Sequence, residues 1–128
     1  MLELPTTLIH GEFYASNIVI NDSENPPRVC PIDWERAAIG PGLIDLAALT
    51  AGNWSEQFKV EMAMAYRDEL LCAGSYSPSM HELLRGVNLC RLHLAVQWLG
   101  WSADWTPPKD HRQDWLAEAV YAASQLSI

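Results

Sequence analysis

Two short runs rich in β-branched residues, separated by a segment with the composition of a turn, constrain the fold of this chain more than any other feature. The runs cover residues 17–20 and 28–33, and residues 21–27 between them are Asn, Asp, Ser, Glu and Pro. Runs of this kind on either side of a turn predict an antiparallel β-hairpin. The hairpin then decides which polar residues meet at its open end.

In the expected register, Ile20 pairs with Val29. Asn17 then lies opposite Ile32 or Asp33 at the open end of the hairpin, where facing Cβ atoms are roughly 5 Å apart. Amide and carboxylate oxygens are ligands that suit Mg²⁺. We therefore expect that Asn17 and Asp33 can share one metal ion.

Glu12 is a second carboxylate close to this hairpin. It lies five positions before Asn17, in a segment that has neither the helical nor the strand period, so we expect a loop that leads into the first strand. A loop at this position can direct its carboxylate towards Asn17 and Asp33. The sequence thus groups two carboxylates and an amide around one short hairpin.

These residues resemble the catalytic and metal-binding segments of the aminoglycoside phosphotransferase and choline kinase group, relatives of the protein kinases. The two segments are Leu8-Ile-His-Gly-Glu-Phe-Tyr-Ala-Ser-Asn17 and Val29-Cys-Pro-Ile-Asp-Trp-Glu35. Their protein-kinase counterparts are a His-Arg-Asp loop with an Asn five residues after the Asp, and an Asp-Phe-Gly metal motif. The resemblance covers about the first 50 residues. It implies the carboxy-terminal lobe of a protein-kinase-like fold, α+β and mainly α, with one short β-hairpin carrying both segments.

The resemblance implies a role for each polar side chain. Glu12 would orient the acceptor hydroxyl and take its proton, and Asn17 and Asp33 would bind Mg²⁺, with ATP as the phosphoryl donor. Asp45 matches the acid that braces the catalytic loop from the start of the next helix. His10 would hydrogen-bond the backbone of that loop.

Two carboxylates also have a simpler interpretation. Asp45 falls in the first turn of a predicted helix, where the helix dipole favours a carboxylate, so it could merely cap its own helix. Glu35, two residues after Asp33, contacts a second metal or the substrate in one interpretation. In the other it is a solvated residue at the end of a strand.

One residue departs from the family pattern, because the family usually has His-Gly-Asp where this chain has His10-Gly11-Glu12. The extra methylene moves the carboxylate by about 1.5 Å, and misplacements of that order can cost ~100-fold in rate. Glu12 is either a working replacement in a phosphotransferase or the mark of a catalytically inactive kinase-like module that binds a ligand or partner. A metal-dependent hydrolase is less favoured, because no third cluster of strong ligands is evident.

The sequence contains neither a Gly-x-Gly-x-x-Gly loop nor a strand with a buried lysine, which hold the nucleotide phosphates in protein kinases. Its two lysines, Lys59 and Lys109, fall in a helical stretch and a Pro-rich connector. We therefore expect residues 1–128 to form a single domain, the carboxy-terminal lobe, with the amino-terminal lobe absent. The chain is then an incomplete fragment of a phosphotransferase.

The charge balance bears on partners. Sixteen acidic and eight basic residues give a net charge of −8, which disfavours nucleic acid and anionic membranes and suits a cationic acceptor such as an aminoglycoside or a choline-like amine. No apolar run is long enough to span a membrane and no signal peptide is evident, so cytoplasmic residence follows by default. Apolar surface left by the missing lobe predicts self-association, with a homodimer as the expected form.

The rest of the chain has the pattern of helices. Apolar residues at helical spacing predict four of them, at about residues 43–49, 55–72, 78–100 and 110–123, after a loop over residues 37–42. Ser55 is predicted to cap the second helix, and Ser77 or Ser79 the third. Asp110 or His111 is predicted to begin the last, after Pro107-Pro108.

The third helix is apolar on nearly every face, which predicts a central buried helix. His93 in its middle is expected to be a core histidine with satisfied hydrogen bonds. Trp98, Trp101 and Trp105 recur at intervals of three and four. Packing is the preferred explanation for them, and an aromatic cage for a cationic substrate is the alternative. This tryptophan side and the central helix are the candidate contacts for self-association.

Overall fold

The computed structural model describes residues 4–74, 78–101 and 113–127. In these residues the chain is α+β and mainly helical, with four short strands followed by four helices. The strands are β1 (Thr6–Ile9), β2 (Ile18–Asn21), β3 (Arg28–Pro31) and β4 (Ala38–Pro41). The helices are α1 (Leu43–Leu49), α2 (Glu56–Cys72), α3 (Met80–Trp101) and α4 (Trp115–Leu126).

The predicted hairpin and its register are confirmed. β2 and β3 pair antiparallel, with Ile20 opposite Val29. Just beyond the strands, the Ile32 N–H donates to the Asn17 carbonyl oxygen at 2.9 Å. Asn17 therefore lies opposite Ile32, with Asp33 next along the chain.

A second sheet replaces the loop that the sequence predicts over residues 37–42. β4 pairs antiparallel with β1, and Leu8 lies opposite Ile39. Within the described ranges there are therefore two two-stranded sheets instead of one hairpin. The Gly and Pro of β4 indicate a loop, but a partner strand distant in the sequence supplies its hydrogen bonds. Gly40 also makes room for Ile9, because a Cβ at residue 40 would lie 2.9 Å from the Ile9 Cδ1.

The hydrophobic core lies between α1, α2 and α3. Its buried members are Leu43, Leu46, Ala47, Ala48, Ala63, Leu83, Val87, Cys90 and Leu94. α3 packs against all three other helices, so its central position is confirmed. It is not buried all round, however, since Val96 and Leu99 are exposed. His93 is also exposed, so its assignment to the core is wrong. The apolar residues next to it in the sequence lie on the other sides of the helix.

Local capping signals predicted two helix starts correctly. The Ser55 Oγ accepts the Phe58 N–H at 3.2 Å at the start of α2. At the start of α3 the Ser79 Oγ accepts the Glu82 N–H at 3.2 Å, and the Glu82 carboxylate accepts the Ser79 N–H at 2.9 Å. Ser79 and Glu82 thus form a capping box. Ser77, the alternative cap, lies outside the described residues.

The last helix begins later than the sequence predicts. α4 starts at Trp115, and the Asp114 Oδ1 accepts the Ala117 N–H at 2.9 Å as its cap. The predicted start at Asp110 or His111, the preceding prolines and Trp105 all lie outside the described residues. No helix in the described ranges is long and apolar enough to cross a membrane.

Burial varies along α2 and among the cysteines. On α2, Phe58 and Ala65 are exposed, whereas Ala63 is buried. The three cysteines also differ from one another. Cys90 is in the core, where burial raises its thiol pKa to about 12. Cys30 is half-buried and Cys72, near the end of α2, is exposed.

Candidate functional site

The carboxylate of Asp45 holds the loop that leads from β1 to the hairpin. Its Oδ2 accepts the His10 N–H at 2.7 Å, and its Oδ1 accepts the Gly11 N–H at 2.9 Å. Asp45 lies in the first turn of α1, but both oxygens bond the loop instead of the amides of the helix. Gly11 has φ +85°, and a Cβ there would collide with the Arg36 carbonyl oxygen. Glycine is therefore required where the loop turns.

His10 joins this loop to the end of the hairpin. Its Nε2 lies 2.8 Å from the Ile32 carbonyl oxygen, and its Nδ1 accepts the Glu12 N–H at 3.4 Å. A carbonyl at one ring nitrogen and an N–H at the other fit the neutral imidazole with its proton on Nε2. The ring is buried beside Trp34, with 4.6 Å between the ring centroids. Both ring nitrogens face the backbone, which leaves His10 in a positioning role.

Asn17 and Asp33 emerge together at the open end of the hairpin. The Asn17 Nδ2 donates to the Glu12 carbonyl oxygen at 2.9 Å, so the Oδ1 occupies the opposite arm of the planar amide. Asp33 has φ 64° and ψ 61°, and its side chain does not cap the single helical turn that follows. A left-handed backbone is uncommon for a residue other than glycine and often occurs at functional sites.

Glu12, Asn17 and Asp33 line one open cleft of about 900 Å³. The loop after α1, the start of α2, the end of α3 and α4 form its remaining walls. Further side chains that line it are Tyr14, Trp54, Glu56, Lys59, Trp98, Gln113, Asp114, Trp115, Glu118 and Tyr121. Glu35, on the exposed turn after Asp33, does not line this cleft.

The cleft carries an excess of negative charge. Its carboxylates are Glu12, Asp33, Glu56, Asp114 and Glu118. Among the described residues that line it, Lys59 is the one cation, and its Nζ lies 2.9 Å from the Glu56 Oε1. That hydrogen bond, with a smaller contribution from the Tyr121 hydroxyl, lowers the pKa of Glu56. A cleft of this composition attracts cations and repels anions.

Aromatic rings form the wall next to Glu12. The Trp98 Nε1–H donates to the Tyr14 hydroxyl oxygen at 2.6 Å, and the Trp98 and Trp115 rings stack with centroids 5.6 Å apart and an interplanar angle of 8°. Burial raises the pKa of Tyr14, and the nearby charge of Glu12 adds to this effect while the Trp98 hydrogen bond opposes it. The Arg36 guanidinium instead lies over the Trp101 ring, 5.9 Å from the ring centroid. Trp98 thus packs against Tyr14 and Trp115 and also lines the cleft.

Two polar atoms on the α4 side of the cleft are buried without a hydrogen-bond partner in the part of the chain that the structure describes. They are the Glu118 Oε1 and the Gln113 Nε2. Nearby, the Tyr121 hydroxyl donates to the Glu56 Oε2 at 3.0 Å. An unpaired buried acceptor is costly, so a ligand that donates a hydrogen bond to Glu118 would be favoured.

The sequence analysis missed Tyr14, Glu56, Glu118 and Tyr121 as cleft residues. No local pattern marks the last three, because they reach the cleft only through the packing of α2 and α4 around α3, whereas Tyr14 lies in the loop two residues after Glu12. The sequence does show an excess of acidic residues. It does not show which of them lie together in the fold.

A divalent metal fits Asn17 and Asp33 only with help from other ligands. Across residues 4–74, 78–101 and 113–127, no three His, Cys, Asp or Glu side chains lie close enough to hold a metal ion. One amide oxygen and one carboxylate suit Mg²⁺, which usually keeps several waters and is completed by phosphate oxygens. The donor set therefore matches a metal that arrives with a phosphorylated ligand.

Comparison with known families identifies one match. The profile of the phosphotransferase enzyme family matches residues 1–84, about two thirds of the chain. The matched part includes Glu12, Asn17, Asp33 and Asp45 and ends within α3. Comparisons with curated proteins and with solved structures find no significant match.

Proposed function

Because the chain belongs to the phosphotransferase enzyme family, we propose that it forms the catalytic lobe of an enzyme that transfers the γ-phosphoryl group of ATP to a hydroxyl of a small cationic molecule. One observation carries this proposal: Glu12, Asn17 and Asp33 line a single cleft. A base for the acceptor and two ligands for a metal are the groups that phosphoryl transfer requires.

Glu12 acts on the acceptor. Its carboxylate accepts the hydroxyl proton as the acceptor oxygen bonds to the γ-phosphorus and the bond from that phosphorus to the ADP oxygen breaks. Asn17 and Asp33 would hold Mg²⁺, which when bound would supply charge neutralisation for the phosphoryl transfer. Asp45 and His10 keep the loop in place, since their hydrogen bonds fix the backbone on both sides of Gly11.

The extra methylene of Glu12 extends the side chain without moving the loop. The Glu12 N–H bonds to His10 and its carbonyl oxygen accepts from Asn17, so the backbone is held at both ends. The carboxylate therefore reaches about one bond length, ~1.5 Å, farther than an Asp would. This favours a working base whose acceptor sits correspondingly farther from the loop. An inactive ligand-binding module remains the alternative, and the Glu12 variants discussed below distinguish the two.

The substrate is cationic in this proposal because of the negative charge of the cleft. The Glu118 Oε1 is buried without a hydrogen-bond partner among the described residues, so an ammonium group that reached it would be favoured, and Glu56 lies on the neighbouring wall. Aromatic faces such as that of Trp54 add attraction for ammonium groups of ~0.5–2 kcal/mol each. Amino sugars and choline-like amines combine an ammonium group with the hydroxyl that the reaction needs.

We expect negligible kinase activity from residues 1–128 alone. Lys59 is paired with Glu56, so no other cation among the described cleft residues is available for the β- and γ-phosphates, which a second lobe must hold. Assays with ATP and a panel of aminoglycosides and choline-like amines check this. Turnover of ~1 s⁻¹, the lower end for kinases, would show that this chain holds the nucleotide by itself.

Mn²⁺ is expected to bind the chain weakly and to broaden NMR signals around Asn17 and Asp33. Two protein ligands without nucleotide phosphates leave the ion mostly hydrated, so the affinity is low. Asp33→Asn should abolish this broadening, while Glu35→Gln, on the exposed turn beside it, should leave it unchanged. Broadening centred on the carboxylates of α4 instead would contradict the metal assignment.

A further inference from the structure

The loop that carries Glu12 is attached to the helices on both sides of that residue. Before Glu12, the Asp45 carboxylate of α1 accepts two backbone N–H groups of the loop. After Glu12, the Tyr14 hydroxyl oxygen accepts the Trp98 Nε1–H of α3 at 2.6 Å. Asp45 thus secures the beginning of the loop, and Tyr14 secures the part that leads to Asn17.

The backbone of Tyr14 is bonded to two of the proposed site residues. Its N–H donates to the Glu12 carbonyl oxygen at 2.8 Å, and its carbonyl oxygen accepts the Asn17 N–H at 2.9 Å. The Asn17 side chain closes the same turn, because its Nδ2 also donates to the Glu12 carbonyl oxygen at 2.9 Å. A displacement of Tyr14 would therefore move the backbone of the proposed base and of a proposed metal ligand together.

The contact between Tyr14 and Trp98 is directional. The two rings meet edge to face, with centroids 6.2 Å apart and an interplanar angle of 63°. Burial raises the pKa of Tyr14, and the charge of Glu12 adds to this effect, so the hydroxyl stays neutral. A neutral hydroxyl accepts an indole N–H and keeps its own proton. Ring packing alone would let the loop slide along α3, whereas a hydrogen bond requires one alignment.

The same aromatic contact extends to α4. The Trp98 ring stacks on the ring of Trp115, the first residue of α4, with an interplanar angle of 8°. α4 also carries Glu118 on the acidic wall of the cleft. Three rings therefore connect the loop of Glu12 with the helix of Glu118. They fix the separation between the proposed base and the wall proposed to hold the ammonium group.

We propose that Tyr14 is a positioning residue, which through its hydrogen bond to Trp98 holds Glu12 and Asn17 at a fixed place relative to α3 and α4. The catalytic consequence rests on the proposed phosphotransferase function, whereas the attachment of the loop does not. A reacting group misplaced by about 1 Å can cost ~100-fold in rate. Release of the loop from α3 should therefore slow the chemical step while nucleotide binding changes little.

Tyr14→Phe tests the attachment in the chain by itself. The substitution keeps the ring and removes the hydroxyl, so packing is retained while the Trp98 N–H loses its acceptor. We expect the Trp98 indole proton resonance to move upfield, and the backbone amide resonances of Glu12 and Asn17 to shift, in proton–nitrogen NMR spectra. Tyr121→Phe is the matched control, because it removes a cleft hydroxyl that bonds α2 instead of the loop. It should leave these resonances in place.

Turnover of the chain joined to a nucleotide-binding lobe tests the catalytic consequence. Tyr14→Phe should lower kcat at least ~10-fold and leave the KM for the nucleotide within about twofold. Trp98→Phe should cost less in the Tyr14→Phe variant than in the unmodified enzyme, because the hydrogen bond that the two residues share is then already lost. Losses that simply multiply would show that the two residues act separately, and would overturn the proposal.

Unchanged Trp98 and loop resonances in Tyr14→Phe would also overturn the proposal. Unchanged turnover of this variant in an active joined enzyme would overturn the positioning role and leave the phosphotransferase function intact. A joined enzyme that is inactive without any substitution would contradict the function, and the resonances would still decide the attachment. In the unmodified chain, the Trp98 indole proton should show a nuclear Overhauser contact to the Tyr14 ring. Its absence would overturn the proposal even if the variants did not fold.

Discussion

Glu12→Gln is expected to lower turnover at least ~100-fold when the chain is joined to a nucleotide-binding lobe and assayed for phosphotransfer. Glutamine keeps the size and hydrogen-bonding capacity of the side chain but cannot accept the hydroxyl proton. The affinity for the nucleotide should change little, because a general base acts mainly in the transition state. Single-turnover kinetics with a saturating acceptor measure the effect on the chemical step directly.

Two variants serve as controls for Glu12. Glu12→Asp restores the acid that the family usually has and should retain more activity than the Gln variant. Glu35→Gln removes an exposed carboxylate outside the cleft and should leave turnover within about twofold, since changes at exposed sites without special contacts are small. Unchanged turnover in the Glu12→Gln variant would remove Glu12 from the catalytic role and favour the inactive binding module.

Asp45→Ala is expected to lower the free energy of unfolding by about 3 kcal/mol. The substitution leaves the backbone N–H groups of His10 and Gly11 without their acceptor, and hydrogen bonds to a charged group contribute about 1.5–3 kcal/mol each. Asp45→Asn should cost less, because its single amide oxygen can still accept one of the two. Urea unfolding followed by tryptophan fluorescence measures the difference.

Asp68→Ala provides the matched control for Asp45. Asp68 lies on an exposed face of α2, where such a change usually stays within about 0.5 kcal/mol. If Asp45→Ala destabilises no more than Asp68→Ala, its carboxylate does not hold the loop. A loss confined to Asp45 would instead confirm that the start of α1 secures the loop that carries Glu12.

Features that depend on neighbours in the sequence were predictable. The hairpin followed from two runs of β-branched residues on either side of a turn, and in the expected register Asn17 lies opposite Ile32, next to Asp33. The caps at Ser55 and Ser79 were predictable because a side chain bonds an amide only three residues away. These interactions join residues that are close in the sequence. The pattern that predicts each of them therefore lies within a short segment.

Features that depend on distant partners were not predictable. β4 forms because β1, about 30 residues earlier, offers it a matching edge, and nothing within residues 38–41 indicates that edge. His93 was assigned to the core from its apolar neighbours, yet it is exposed, because helix packing covers only some sides of α3. The start of α4 was missed for a different reason, since its Asp114 cap bonds an amide only three residues away and is a local signal that the prediction overlooked.

The sequence by itself determined the loop and the hairpin that carry Glu12, Asn17 and Asp33, because these residues are close along the chain. Only the tertiary structure decided what faces them. Glu56 and Glu118 reach the same cleft from α2 and α4 because the packing of both helices against α3 sets their direction. Packing is a property of the whole core, and no single segment of sequence encodes it.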